Sequence, residues 1–108
     1  MHRLIGRVNC IHCLPTKVTR LKDKIKKLGE RIRKVEKPEL RQKLREQMLK
    51  MNKKLLKEIE KQLKNEKLPE ELREQLEQLK RVLQKLQELV AEDAVDSEIF
   101  HYYLSQLN

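Results

Sequence analysis

The chain has 108 residues, of which 40% are charged, 38% hydrophobic and only 3% aromatic, so any core is thin and built from Leu, Ile, Val and Met. Two glycines and three prolines are too few to punctuate a many-stranded β fold, and no stretch approaches the roughly 18 apolar residues of a membrane span. The net charge of +9 is unevenly spread, with +9 over residues 1–37, +5 over 38–67 and −5 over 68–108, so a basic arm is joined to an acidic one.

The first residues, Met1-His2-Arg3-Leu4-Ile5-Gly6, lack the apolar run of a signal peptide, and a reducing cytoplasm is the expected location. Two cysteines there read as thiols or metal ligands rather than a structural disulfide. Residues 1–15 follow no helical period, and Cys10-Ile11-His12-Cys13-Leu14-Pro15 reads as a turn or knuckle closed by the proline. This gives an irregular N-terminal segment, 1–15, ahead of a helical bundle, 16–108.

From Thr16 onward, Val18, Leu21, Ile25, Leu28, Ile32 and Val35 alternate spacings of three and four, the seam of a bundle helix. Pro38 followed by Glu39 is a helix start, because proline at the first position gives up only an amide that would have no partner. The apolar phase breaks there and resumes as Leu40, Leu44, Met48, Met51, Leu55, Ile59 and Leu63, which implies a tight turn near Glu36-Lys37. Pro69-Glu70-Glu71 repeats the start signal ahead of Leu72, Leu76, Leu79, Leu83, Leu86 and Val90, with Val82 and Leu89 widening the stripe enough to touch two neighbours. Asp96-Ser97-Glu98 caps a short last helix carrying Ile99, Phe100, Tyr103, Leu104 and Leu107.

The expected fold is therefore all-α: an antiparallel bundle of three long amphipathic helices, near 16–36, 38–65 and 69–92, plus a short C-terminal helix at 97–107. The acidic third helix is expected against the basic first or second. Acid-before-base pairs four residues apart, among them Asp23/Lys27, Glu30/Lys34, Glu39/Lys43 and Glu46/Lys50, recur on the exposed faces and contribute roughly 0.2–0.5 kcal/mol each where they close. With the regular seams they give residues 16–91 the idealised look of a computationally designed or strongly thermostabilised bundle.

Three groups of residues carry candidate chemistry. Cys10 and Cys13 have the spacing of half a zinc site, completed in one chain only by His2 and His101, because a structural zinc needs four ligands. Two chains could instead pool four thiolates. That arrangement resembles a zinc hook in the two cysteines alone, since only nine residues precede Cys10 where a hook has a helix on both sides. The basic residues Arg20, Lys24, Lys27, Arg31 and Lys34 are candidates for holding a polyanion, non-specific in sequence because no aromatic side chain is interleaved to stack bases. Phe100, Tyr102 and Tyr103 are candidates for a partner contact, against a reading in which Phe100, Tyr103 and Leu107 close the end of the bundle and Tyr102 sits at its rim.

No glycine-bearing oxyanion loop accompanies any Cys-His pair, so no catalytic residue is assigned and no enzyme is expected. The leading expectation is a non-enzymatic structural or interaction protein that binds itself or a protein partner through helix faces, without a cofactor and away from membranes. The alternative is a basic nucleic-acid-associated protein with zinc at the N-terminal CxxC.

Overall fold

The computed structural model describes residues 14–107, which contain four helices and no strand. They are α1 (Thr16–Lys34), α2 (Pro38–Leu63), α3 (Glu70–Ala91) and α4 (Glu98–Ser105). Each boundary lies within two residues of its expected place. Prolines set the starts of the three long helices: Pro15 and Pro69 precede α1 and α3 in extended backbone, and Pro38 occupies the first turn of α2. Pro38 also pushes Lys37 into an extended conformation (ψ 122°), which stops α1 from running on.

The α3–α4 corner has a different chemistry. Asp93 adopts the left-handed region at φ 57°, and the amides of Asp93 and Ala94 return to the carbonyls of Val90 (3.1 Å) and Leu89 (2.8 Å). This is a Schellman ending with Asp where Gly is usual. Ser97 then opens α4, its hydroxyl accepting from the Phe100 amide at 3.1 Å.

Two arginines close helix ends across the α2–α3 interface. Arg45 of α2 donates to the carbonyls of Val90 (3.0 Å) and Ala91 (3.2 Å) at the end of α3. Arg73 of α3 donates to Leu63 (2.9 Å) and Asn65 (3.0 Å) at the end of α2. A helix leaves its last carbonyls without partners, so each helix supplies the cation that the other's negative end requires.

Helix α1 packs on α2, α2 on α3, and α4 on both α3 and α1, while α1 and α3 make no close approach. The acidic α3 thus lies against the second basic helix and not the first. The short α4 closes the ring, made possible by Gly29: a Cβ there would stand 2.5 Å from Leu104 Cδ1 and 2.9 Å from Cδ2. Gly29 is buried on the seam of α1, between Ile25 and Ile32, and the neighbouring Leu28 is only half-buried. The expected α1 seam therefore shifts by one position at its centre, because the glycine faces α4 and Leu28 turns toward the outer edge of the α1–α2 contact.

The core joins Val18, Ile25, Ile32, Met48, Leu55, Ile59, Leu76, Leu83, Leu86 and Phe100, all fully buried. Two polar side chains of the described residues are buried beside it, Asn52 and, at its edge, Glu58; Asn52 is 0% exposed, donates to the Leu83 carbonyl at 3.1 Å, and leaves its Oδ1 without a hydrogen-bond partner.

A candidate docking face on the first two helices

The five basic residues singled out in α1 are Arg20, Lys24, Lys27, Arg31 and Lys34, and all are exposed. Their spacing of four, three, four and three places them on one stripe of a helix with 3.6 residues per turn. In α2, Lys43, Lys50, Lys54, Lys57 and Lys61, with Gln47 filling the missing step, repeat the same spacing and are likewise exposed. Lys24, Lys27 and Arg31 from the first row and Gln47 and Lys50 from the second line one groove of about 470 Å³, whose floor is Leu28 and Met51. The two rows therefore meet at one groove on the α1–α2 contact, and Arg20 and Lys34 of the first and Lys43, Lys54, Lys57 and Lys61 of the second continue them beyond its lining, over about 21 Å on α1 and about 27 Å on α2 at 1.5 Å per residue.

The second row was missed in the sequence, although its signal was there. Lys43 to Lys61 has the same period as Arg20 to Lys34, and only the hairpin that lays α2 antiparallel on α1 shows that the rows face one channel. The floor was also misassigned. Leu28, Val35 and Met51 were counted among buried seams; the structure leaves them partly buried, and Leu40 is 40% exposed.

Near the start of α1 the channel meets Glu58. This nearly buried carboxylate accepts from Gln62 Nε2 at 2.8 Å and lies 3.4 Å from Lys17 Nζ. The Gln62 hydrogen bond, aided by the charges of Lys17 and Lys61, holds its pKa below the usual 4.5 against the opposing effect of burial.

None of the expected acid-before-base pairs four residues apart closes among the described residues. Among the described residues none of the ten row cations closes an ion pair within 4.0 Å; the pairs formed join Lys17 to Glu58, Arg41 to Asp93 and Asp96, Arg45 to Asp93, Lys80 to Glu60 and Lys85 to Glu88. Exposed pairs gain too little to hold two long side chains in one geometry. The result is a face with uncompensated positive charge.

The aromatic residues of α4 divide. Phe100 is fully buried and Leu107 is 1% exposed, so both belong to the core. Phe100 is thus withdrawn from the candidate partner contact, because its ring is consumed in fastening α4 to the core. Tyr103 is half-buried with its ring 5.1 Å from that of Tyr102, edge to face, and Tyr102 and Ile99 are each 58% exposed.

His2, Cys10 and Cys13, candidates for a metal, lie outside the described residues. His101 is exposed on α4, where its Nδ1 stands 2.7 Å from Arg33 Nη1. A metal at that nitrogen would have to displace the guanidinium. None of the helices is long and apolar enough to cross a membrane.

The fold and its basic face define an all-α bundle carrying a channelled cationic surface. No protein family, curated protein or solved structure matches the chain.

Proposed function

We propose that this chain is a non-enzymatic helical interaction protein that binds a protein partner through the α1–α2 face. The observation that carries the reading is the unfinished seam: Leu28 and Met51 stay only partly buried on the floor of one groove, and Val35 and Leu40 are likewise incompletely covered, while the seam residues beside them, Ile25, Ile32, Leu44 and Met48, are almost fully buried. An apolar groove floor rimmed by charge is the mark of a surface that another element covers.

The test compares wild type with the Leu28→Gln/Met51→Gln variant as affinity baits in the same extract, after thermal unfolding has shown that both are folded. Proteins held by wild type and lost by the variant support the reading. Identical captured sets overturn it.

A second reading is favoured by the rows themselves. Ten exposed cations in two rows on α1 and α2 suit a nucleic-acid backbone, held without regard to sequence. In that case duplex DNA or RNA binds with an affinity that falls steeply and linearly in log–log form with salt, by nearly one power for each phosphate neutralised. Leu28→Gln/Met51→Gln then leaves binding unchanged.

A further inference from the structure

We infer that the channel between the two cationic rows is the seat of an acidic amphipathic helix, taken from a protein partner as a third strand beside α1 and α2. The inference rests on the docking reading above and adds the chemistry of what docks.

Three features of the channel select that partner. Its floor is apolar, formed by Leu28 and Met51, and nearer the α1–α2 turn Val35 is only partly buried and Leu40 is exposed. A helix with apolar residues at alternating steps of three and four presents a matching ridge. Its walls repeat at that same period, Arg20-Lys24-Lys27-Arg31-Lys34 on one side and Lys43-Gln47-Lys50-Lys54-Lys57-Lys61 on the other. Carboxylates flanking the ridge of an incoming helix would meet a cation at each step on the α1 side and at each step but Gln47 on the α2 side. Finally, the row cations have no internal ion-pair partners within 4.0 Å to give up, although Asp23, Glu30, Glu39 and Glu46 stand one helical turn before Lys27, Lys34, Lys43 and Lys50.

A phosphate backbone would satisfy the walls but not the floor. It has no apolar ridge to cover Leu28 and Met51, and neither row contains an aromatic side chain on which a base could stack. The acidic part of a second copy, residues 68–108 with a charge of −5, meets the charge requirement. However, the apolar stripe of α3, its one long helix, is already spent: Leu72, Leu76, Leu79, Leu83, Leu86 and Val90 are buried in the core.

The probe is a synthetic peptide of about 21 residues, three heptads with Leu at the ridge positions and Glu at the flanking ones, labelled for fluorescence anisotropy. Its control is a scrambled peptide of identical composition. The ridge peptide is expected to bind one-to-one and to lose at least about tenfold in affinity to Lys24→Glu/Lys50→Glu and to Met51→Glu, since like charge and a buried carboxylate each oppose docking. Raising salt from about 0.05 to about 0.5 M weakens it several-fold, because exposed ion pairs are screened.

Equal binding of the scrambled peptide overturns the inference and leaves a surface that merely collects negative charge. So does a free protein that sediments as a dimer whose association is abolished by Met51→Glu, because the occupant is then a second copy. Failure of the ridge peptide to bind, with the differential capture still observed, overturns the helix and leaves the docking face standing. Failure of both removes the docking face as well.

Discussion

Replacing Gly29 by Ala sets two effects of opposite sign against each other. Glycine inside a helix costs about 1 kcal/mol relative to alanine, so on local grounds Gly29→Ala stabilises α1. The seat of α4 opposes this. The new methyl would stand 2.5, 2.9 and 3.3 Å from Leu104 Cδ1, Cδ2 and Cγ, where carbon atoms pack best at about 3.5–4.0 Å. Leu104 is 3% exposed and has little room to turn aside, and overpacking of this kind costs typically 1–3 kcal/mol. The net expectation is a loss of about 0–2 kcal/mol, with α4 lifted before the rest unfolds. Tyr102 and Tyr103 both lie on α4 and the chain has no Trp, so tyrosine fluorescence follows that helix while far-UV circular dichroism follows all four. In a urea titration the tyrosine transition of Gly29→Ala precedes the dichroism transition. The Gly29→Ala/Leu104→Ala double variant supplies the cycle: Leu104→Ala alone costs about 2–5 kcal/mol, and the double variant loses less than the sum by at least about 1 kcal/mol because the clash is gone. A Gly29→Ala protein more stable than wild type by about 1 kcal/mol, with coincident transitions, would mean that α4 does not rest on Gly29.

Three further substitutions address the core, the helix ends and the channel. Asn52→Leu removes a fully buried side chain with an unpartnered Oδ1; chemical unfolding should show a gain of about 1–2 kcal/mol, and a loss would mean that an unseen partner satisfies that oxygen. Arg45→Met keeps the aliphatic stem but takes the guanidinium from the Ala91 carbonyl and leaves the Val90 carbonyl with the Asp93 amide, which should cost about 1–2 kcal/mol in the same assay; no change would show that water serves those carbonyls equally well. Glu58 has a folded pKa below its usual value, so its contribution to stability is fully present above the unfolded pKa and disappears as pH falls through the folded one. Glu58→Gln should therefore flatten the acid limb of the stability profile below about pH 4.5 while altering its slope little near neutrality, and an unchanged acid limb would refute the pairing.

Most of the architecture was legible because it is written in local signals. The prolines at 15, 38 and 69 mark helix starts by a steric rule that the rest of the chain cannot override, and the three-four seams mark the buried faces. What escaped was set by contacts between helices. Gly29 carries no hydrophobic signal, so its burial under Leu104 and the outward turn of Leu28 became visible only with α4 in place. The Arg45 and Arg73 caps join residues distant in sequence and have no motif. The candidate site was half legible: the α1 row was recognised as basic residues suited to an anion, but its pairing with the α2 row depends on the antiparallel hairpin, which matches Lys24 with Lys50 across Leu28 and Met51. Phe100 was set beside Tyr102 and Tyr103 because composition alone cannot separate a ring that fills the core from one at the rim.

The most direct test of the α1–α2 docking face uses the two described methionines as internal probes. Met48 is fully buried, whereas Met51 lies on the floor of the channel. Protein labelled with carbon-13 at the methionine methyls is titrated with the acidic ridge peptide and followed by two-dimensional NMR. The account predicts that the Met51 resonance moves to saturation while Met48 holds nearly still. A Met51 resonance that does not move, or shifts of equal size at both methyls, would contradict it.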